Sequence, residues 1–266
     1  MMLKKIIFIT ALFIIGSCTS NVEEQTLDQK EDTINENHKD IWGSETSNDP
    51  TNSNGAEDEQ KISALEEKMI AAGLVDIQSV DSTIHVDVKY ATTDNFMNQV
   101  LYKDYHKVYL QPLVAERLSK AQKALQKIDP TLTLLVFDGT RPRSVQQAMW
   151  DALDTIPFNE RVKFVSNPAN GSIHNYGCAV DLTIMNKYSK GWLDMGAGYD
   201  DLRKIAYPRH EAKFLATGEL TSLQVQNRKL LRQVMRAGGF WVIETEWWHF
   251  NAFSRKKADE MFEIVE

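Results

Sequence analysis

The chain has 266 residues, of which 42% are hydrophobic and 25% are charged, as is ordinary for a globular protein. Its net charge is −7, but the segment Thr19–Gln60 contains 12 acidic and 2 basic residues and so carries −10. Lys4 and Lys5 add +2, which leaves +1 for Lys61–Glu266. A nearly neutral domain lacks the basic surface of a nucleic-acid-binding protein, and we expect no nucleic-acid partner.

The first residues have the pattern of an export signal. Lys4 and Lys5 precede Ile6–Ile15, an apolar run that is too short to span a bilayer comfortably. The run ends in Ile15-Gly16-Ser17-Cys18, which resembles the lipobox of bacterial lipoproteins. We therefore expect a signal peptide over residues 1–17, lipidation of Cys18 and a lipid anchor in a membrane of the cell envelope. An ordinary secretory signal with an incidental cysteine is the alternative.

Residues 18–60 are predicted to be a disordered acidic tether, because a segment with so few apolar residues cannot offset the entropy lost on ordering. The folded domain is predicted to span residues 61–266. The only cysteines are Cys18 and Cys178, so lipidation of Cys18 would leave Cys178 without a disulfide partner. A domain of this size can bury an adequate core without one.

Apolar periodicity and chain breakers predict the secondary structure. In chain order, the predicted elements are a helix over Lys61–Ala72, a half-buried strand over Ile84–Tyr90, a helix over Pro112–Lys127, a buried strand over Leu132–Phe137, a helix over Ser144–Leu153 capped by Ser144, a strand over Ala179–Met185, a helix over Leu223–Ala237, and one or two strands within Phe240–Phe250. This order has no regular βαβ rhythm. It predicts a single α+β domain whose central antiparallel sheet is flanked by helices.

Two short segments concentrate the residues that carry chemistry. In Ser172–Asp181, His174 and Asp181 lie seven residues apart with Gly177 between them, and Glu246-Trp247-Trp248-His249 adds a second histidine and a carboxylate. Histidine and aspartate are common zinc ligands, and a catalytic zinc site needs three protein ligands and an open position for water. It also needs a carboxylate near that water to move protons.

Spacing alone leaves other interpretations open. A lone histidine is more often packed or on the surface than a ligand, and we assign that interpretation to His38, His85, His106 and His210. Residues three apart in an ideal strand face opposite sides, so Glu246 and His249 can face one metal only if the backbone bends at the two tryptophans. Otherwise both tryptophans are core residues and Glu246 is a solvated strand end.

The segments S-x-H-x-x-G-x-A-x-D and E-x-W-H resemble the paired zinc motifs of the peptidase family that contains the VanX-type D-Ala-D-Ala dipeptidases, D,D-carboxypeptidases and some phage endolysins. Three further segments resemble the dipeptidase branch: Lys89–Phe96 (KYATTDNF), Phe137–Pro142 (FDGTRP) and Met195–Asp200 (MGAGYD). Their order and spacing agree from about residue 80 to residue 254. The resemblance implies a fold like that of the D,D-peptidases, with the zinc site at the sheet.

The resemblance also implies a role for each matching residue. It implies that His174, Asp181 and His249 bind one zinc ion per chain. Glu246 would be the general base and then the general acid, and Arg141 would stabilise the oxyanion. Ser172 and Tyr90 would contact the substrate ends, with Tyr102 a weaker candidate, and Asp200 would be the partner of the free ammonium group. The implied reaction is zinc-dependent hydrolysis of a small D-amino-acid peptide, most simply D-Ala-D-Ala.

Some positions depart from the family pattern. Thr140 replaces an aromatic residue before Arg-Pro, which predicts a change in the shape of the pocket. Asn98 stands where a glycine often follows Asn-Phe, and Cys178 lies inside the zinc motif, where we expect a small buried residue. Two alternatives stay open: a D,D-carboxypeptidase or endopeptidase acting on wall peptides, and a non-catalytic, zinc-stabilised wall-binding domain.

Overall fold

A computed structural model describes residues 62–103 and 105–266. The predicted signal peptide, the lipidation site Cys18 and the tether lie outside the described residues. The helices are α1 (Ala64–Ala71), α2 (Ile77–Val80), α3 (Pro112–Ile128), α4 (Arg143–Ala152), α5 (Glu211–Ala216), α6 (Ser222–Ala237) and α7 (Arg255–Met261). The strands are β1 (Val75–Asp76), β2 (His85–Val86), β3 (Tyr109–Leu110), β4 (Leu132–Asp138), β5 (Ala179–Asn186), β6 (Trp241–Val242) and β7 (His249–Asn251).

The central sheet has five strands in the order β2-β4-β5-β7-β6. The pairs β4–β5, β5–β7 and β6–β7 are antiparallel, and the edge pair β2–β4 is parallel. Strands β1 and β3 form a separate antiparallel pair. The predicted α+β class with a central antiparallel sheet is therefore confirmed, with one parallel pair at its edge.

The middle of the sheet is buried on both faces. All seven residues of β4 are buried, and so are the first seven of β5. Helix α3 packs against β4 and α6, and its buried stripe includes Val114, Leu118 and Leu125. Because the side chains of β4 and of all but the last residue of β5 are enclosed, the polar groups that they carry lie in surroundings of low polarity.

Two local predictions differ from the structure. The strand predicted over Ile84–Tyr90 contains only His85–Val86, because the chain then turns into a short 3₁₀ helix at Lys89–Ala91. The alternation of polar and apolar residues fails there, since Lys89 is buried beside Asp87. Ser144 lies inside α4 and does not cap it. Pro142 holds the cap position, and its fixed backbone angle suits the start of a helix.

The remaining elements agree with the predictions to within a few residues. The last segment splits into β6 and β7, as predicted for Phe240–Phe250. Helix α6 starts with a reciprocal pair of hydrogen bonds between Thr221 and Gln224. No helix in the described part of the chain combines the length and the hydropathy that a membrane span requires.

Candidate metal centre and active site

The register of the sheet places two aspartates and one histidine side by side on three neighbouring strands, in a row that crosses the sheet. Asp138 on β4 is paired with Asp181 on β5, which is paired in turn with His249 on β7. A shift in register between Val136 and Asp138 produces the first of these pairings. Residues that are directly paired across neighbouring strands carry their side chains on the same face. Asp138, Asp181 and His249 therefore meet on one side of the sheet.

His174 reaches this row from the short 3₁₀ helix Ile173–Tyr176, which precedes β5. Gly177 ends that helix with φ 67°, a conformation that glycine adopts without strain. A Cβ atom on Gly177 would lie 2.7 Å from Leu74 Cδ2 and 2.8 Å from Thr140 Oγ1. This close approach requires glycine, and the turn it permits directs His174 back towards Asp181.

The three predicted ligands come together. His174 Nε2 lies 3.1 Å from His249 Nδ1 and 3.5 Å from Asp181 Oδ1, and His249 Nδ1 lies 3.0 Å from Asp181 Oδ1. Ligands at about 2.1 Å from a tetrahedral zinc ion lie roughly 3.4 Å apart. In the described part of the chain, these residues form the one histidine–carboxylate group with metal-binding spacing. The donor set and its spacing fit zinc.

Hydrogen bonds behind both histidines orient the ligand atoms. His174 Nδ1 lies 2.7 Å from the carbonyl oxygen of Gly139, and His249 Nε2 lies 2.9 Å from Asn251 Oδ1. Each of these nitrogens donates its proton to an oxygen, which leaves the lone pair of the other ring nitrogen free for a cation. The sequence did not indicate Gly139 or Asn251. A polar residue two positions after a ligand histidine on one strand is the signal that could have identified Asn251.

The electrostatics of the three ligand side chains favour a cation. Burial alone would raise the pKa of Asp181, but His174 and His249 hold this pKa well below its ordinary value. Burial likewise lowers the pKa of His249, but the hydrogen bond and charge of Asp181 raise it to about 9. Without a metal, a proton on His249 therefore compensates the carboxylate, and a cation bound among the ligands would replace that proton.

Glu246 lies beside the ligands because the chain bends before β7. The backbone bends at Trp247 and Trp248, which lie outside the strands. This bend leaves Glu246 Oε2 3.9 Å from His249 Nδ1. The bend resolves the geometric objection raised by the spacing. Trp248 lines the cavity, whereas Trp247 is buried in the core. Enclosure by the cavity raises the pKa of Glu246, which suits a group that must both accept and return a proton.

Arg141 is fixed by a buried carboxylate. Its Nε and Nη2 donate to Asp138 Oδ2 at 3.1 and 2.6 Å, and Nη2 lies 3.9 Å from Asp181 Oδ2. Tyr102 donates to the other oxygen of Asp138 at 2.9 Å and does not line the cavity. In this structure Tyr102 supports Arg141 through Asp138. Its predicted contact with substrate has no geometric support here.

The remaining predicted residues line the cavity. The hydroxyl of Tyr90 lies 3.2 Å from Asp200 Oδ2, and the Arg141 guanidinium lies 5.0 Å from the centre of the Tyr90 ring. Burial, followed by the charge of Asp181, raises the pKa of Asp200 to about 8. Ser172 is buried at the wall of the cavity, and its backbone N–H donates to Asn175 Oδ1 at 2.5 Å.

The cavity has a volume of about 490 Å³, which is in the range of sites for small ligands. Thr140 does not line it, because its side chain is buried and donates to the carbonyl oxygen of Tyr109 at 2.6 Å. The expectation that Thr140 alters the shape of the pocket therefore has no direct support.

Asn98 has φ 52°, which explains why glycine suits this position. Cys178 is fully buried, as expected.

Comparison with known proteins identifies the family. The family model described as D-Ala-D-Ala dipeptidase, peptidase M15, matches residues 70–266. The chain belongs to this family. The D-alanyl-D-alanine dipeptidase of Escherichia coli K12 is 30% identical over 181 residues, which cover 66% of this chain and 83% of that protein. The enzyme of the same name from Enterococcus faecalis V583 is 29% identical over 192 residues, which cover 67% and 91%.

Similarity to solved structures is much lower. The LdcB LD-carboxypeptidase structure has a TM-score of 0.35 and 19% identity, over 57% of this chain and 63% of that chain. A similarity this low carries no argument about function. The family match is the stronger finding, and it confirms the resemblance drawn from the sequence motifs. The chain is a metallopeptidase of the M15 D-Ala-D-Ala dipeptidase family. The roles of its individual site residues stay predictions.

We expect Asn251→Ala to weaken metal binding in this M15 peptidase by about 10- to 100-fold, because His249 loses the acceptor that fixes its tautomer and ring orientation. Competition with a chromophoric chelator would measure the change. Asn251→Asp retains an acceptor oxygen and should restore most of the affinity. Equal affinities for wild type and Asn251→Ala would show that β7 alone orients His249.

Arg228 is a further residue that sequence reasoning missed, and it contacts the loop that carries Asp200. Arg228 of α6 is fully buried, and it donates from Nε to the carbonyl oxygen of Met195 at 2.6 Å and from Nη1 to that of Ile205 at 3.1 Å. These two carbonyls flank the loop that carries Tyr199 and Asp200. Asp200 itself has φ 58°, a conformation that the surrounding structure must hold in place.

We expect Arg228→Lys to raise KM for a substrate with a free amino group by about tenfold, because one ammonium group cannot hold both ends of the loop. The turnover number should change much less. Arg232→Lys is the matched control, since Arg232 pairs with Glu211 at 2.7 Å through both of its terminal nitrogens and does not bond to the loop. Equal increases in KM for the two variants would contradict the assignment.

Proposed function

We propose that this chain hydrolyses the dipeptide D-alanyl-D-alanine to two molecules of D-alanine, with one zinc ion bound by His174, Asp181 and His249. The observation that carries the proposal is the convergence of these three ligand atoms beside Glu246 and Arg141 in one cavity. The family supports it, because the relatives from Escherichia coli and Enterococcus faecalis are D-alanyl-D-alanine dipeptidases. When bound, zinc would polarise the scissile carbonyl and lower the pKa of a water molecule.

We assign the movement of the protons in this reaction to Glu246. Its carboxylate lies 3.9 Å from the ligand atom of His249, so it would reach a water molecule held beside the three ligands. The carboxylate accepts a proton from that water and later returns it to the leaving amine. Trp248, at the wall of the cavity, helps to exclude bulk water and so strengthens these interactions.

Arg141 supplies positive charge where negative charge develops on the carbonyl oxygen. The two hydrogen bonds to Asp138 hold the guanidinium in place before the reaction starts. Preorganised charge of this kind lowers the barrier without reorganisation during the reaction. Asp181 lies near the same guanidinium, so Arg141 also offsets the negative charge of a metal ligand.

Asp200 is the partner that we assign to the free ammonium group of the substrate. Burial and the charge of Asp181 raise its pKa to about 8, so its charged form is disfavoured when no cationic partner faces it. An ammonium group placed against it would restore the charged form. The cost of burying this carboxylate alone therefore favours substrates with a free amino terminus. Tyr90 donates to the same carboxylate and helps to orient it.

An assay of amine release tests the proposal. Purified protein is incubated with D-Ala-D-Ala, L-Ala-L-Ala, N-acetyl-D-Ala-D-Ala and a wall pentapeptide, each with and without chelator. We expect chelator-sensitive cleavage of D-Ala-D-Ala alone. Cleavage of the acetylated or longer peptide would assign the protein to a carboxypeptidase or endopeptidase specificity. No turnover by zinc-loaded protein would refute the proposal and favour a wall-binding domain. The presence of Glu246 and Arg141 speaks against that alternative, because a wall-binding domain needs neither residue.

We further propose that the enzyme is a lipoprotein of the cell envelope, anchored through Cys18. The support is the sequence Ile15-Gly16-Ser17-Cys18 after a short apolar run. In the envelope the enzyme would meet peptides released from the cell wall. Metabolic labelling with a fatty acid, together with fractionation of cells that produce the full chain, tests this location. Wild type should be labelled and sediment with membranes, whereas Cys18→Ala should be neither labelled nor membrane-bound.

A further inference from the structure

The carboxylate of Asp181 has one oxygen that faces the two histidines and one that does not. Oδ1 lies 3.5 Å from His174 Nε2 and 3.0 Å from His249 Nδ1, so Oδ1 is the atom directed at a metal. The other oxygen, Oδ2, needs a partner of its own, because a carboxylate held at one oxygen only can rotate or can turn both oxygens to a cation. The partner of Oδ2 therefore determines how firmly Asp181 presents Oδ1.

Tyr199 supplies this partner. Its hydroxyl lies 3.3 Å from Asp181 Oδ2, and it is the one hydrogen-bond donor to this oxygen among residues 62–103 and 105–266. An ionised carboxylate only accepts hydrogen bonds, so the tyrosine hydroxyl is the donor. The bond joins the loop before Asp200 to strand β5.

Aromatic packing fixes the position of the hydroxyl. The centre of the Tyr199 ring lies 4.8 Å from that of Phe137 and 5.6 Å from that of Trp248. The ring of Tyr90 lies 6.3 Å away on a further side. Contacts of this kind restrict the orientation of the ring. Tyr199 does not line the cavity, so its hydroxyl acts on Asp181 and not on a substrate.

A neutral donor at this oxygen has an electrostatic advantage. The guanidinium of Arg141 lies 3.9 Å from Asp181 Oδ2 and could close on this oxygen if no other group occupied it. A charged donor would offset the negative charge with which Asp181 attracts a cation. The hydroxyl of Tyr199 satisfies Oδ2 without adding a positive charge, and Arg141 stays on Asp138 at 2.6 Å.

We propose that the hydroxyl of Tyr199 is a positioning group for the metal ligand Asp181. It holds Oδ2, so that Oδ1 alone faces the two histidines, and it preserves the charge that attracts the metal. This inference rests on the metal site of the proposed function. Because Tyr199 precedes Asp200, one loop both supports a metal ligand and carries the partner assigned to the ammonium group of the substrate.

The zinc affinity of Tyr199→Phe tests the inference. The substitution keeps the ring and its packing and removes only the hydroxyl. We expect zinc affinity, measured by competition with a chromophoric chelator in the absence of substrate, to fall about tenfold. This is the lower end of the range for losing a partner behind a metal ligand, because 3.3 Å is long for a hydrogen bond.

Tyr109→Phe is the matched control. The hydroxyl of Tyr109 donates to the buried carboxylate of Glu66 at 2.7 Å, and Glu66 is not among the metal ligands. Glu66 keeps its bond to Lys107 in this variant, so the fold should be retained. Both variants lose a hydrogen bond from a tyrosine to a carboxylate, but only Tyr199→Phe should bind zinc more weakly.

A double-mutant cycle shows whether Tyr199 acts through Asp181. In an Asp181→Asn background, Tyr199→Phe should lower zinc affinity by less than about twofold, because the charged oxygen on which the hydroxyl acts is gone. The full tenfold loss in that background would mean that Tyr199 influences the metal by another route, and it would overturn the inference.

Two other results would also overturn it. Equal zinc affinities for wild type and Tyr199→Phe would show that β5 and the histidines suffice to hold Asp181. An equal loss of affinity in Tyr109→Phe would trace the effect to general destabilisation. Zinc binding is measured without substrate, so a zinc-binding wild type that cleaves no peptide would refute the proposed hydrolysis alone. Wild type that binds no zinc would refute both.

Discussion

Glu246→Gln should reduce the turnover number for D-Ala-D-Ala by about 10³-fold while zinc content and substrate affinity stay close to those of wild type. The amide has nearly the shape of the carboxylate, but it cannot accept a proton from water or return one to the leaving amine. Steady-state kinetics on protein of measured zinc content would test this. Glu246 bonds to no other side chain in the described residues beyond its 3.9 Å approach to His249, so the fold should be retained.

Glu244→Gln is the matched control for this experiment. Glu244 is two residues away, is exposed, and contacts Arg209 at 3.4 Å on the surface. A surface ion pair of this kind contributes little to stability, so this variant should retain wild-type turnover. A Glu246→Gln enzyme that kept a tenth or more of the wild-type rate would require another proton acceptor in the cavity and would contradict the assigned role.

Removal of the metal, or of one ligand, should have an equally large effect. We expect a chelator or His174→Ala to lower the rate by at least about 10³-fold, because the attacking water then keeps the high pKa of bulk water and the scissile carbonyl is no longer polarised. Added zinc should restore the chelated wild type and leave His174→Ala inactive. Metal analysis after dialysis should find about one zinc ion per wild-type chain, in keeping with a three-residue site.

Two further variants make this result specific. Asp181→Asn preserves the size of a ligand side chain but removes its charge, so it should lose zinc affinity without leaving a void in the core. His106→Ala removes an exposed histidine and should change neither zinc content nor rate. The melting temperature of wild type should rise with zinc, because zinc binds only the folded ligand arrangement, and that of His174→Ala should not. Full activity of the metal-free wild type would refute the metal assignment.

Several features of this protein were determined by the sequence alone. The motifs that contain His174, Asp181, Glu246 and His249 suggested a metal site, and their resemblance to a peptidase family implied the ligand group and the carboxylate beside it. Long apolar segments such as Leu132–Phe137 gave the central strands to within one residue, because a fully buried strand needs an unbroken run of apolar residues.

Shorter elements were harder to predict, because contacts remote in sequence determine them. The strand expected over Ile84–Tyr90 stops at Val86, since Lys89 turns inward to acidic partners that include Asp94. The bend at Trp247 and Trp248 could be stated only as a condition for a metal site. It follows from packing Trp247 into the core while His249 pairs with Asp181.

The supporting residues of the site were decided by tertiary structure alone. Asp138 holds Arg141 because a register shift in β4 aligns Asp138 with Asp181. Asn251 orients His249 because both residues lie on β7 and face the cavity. Arg228 reaches the Asp200 loop from a helix that begins more than twenty residues later in the chain. The ligands form a local pattern that short motifs preserve, whereas their hydrogen-bond partners are set by strand register and helix packing, which a single sequence does not specify.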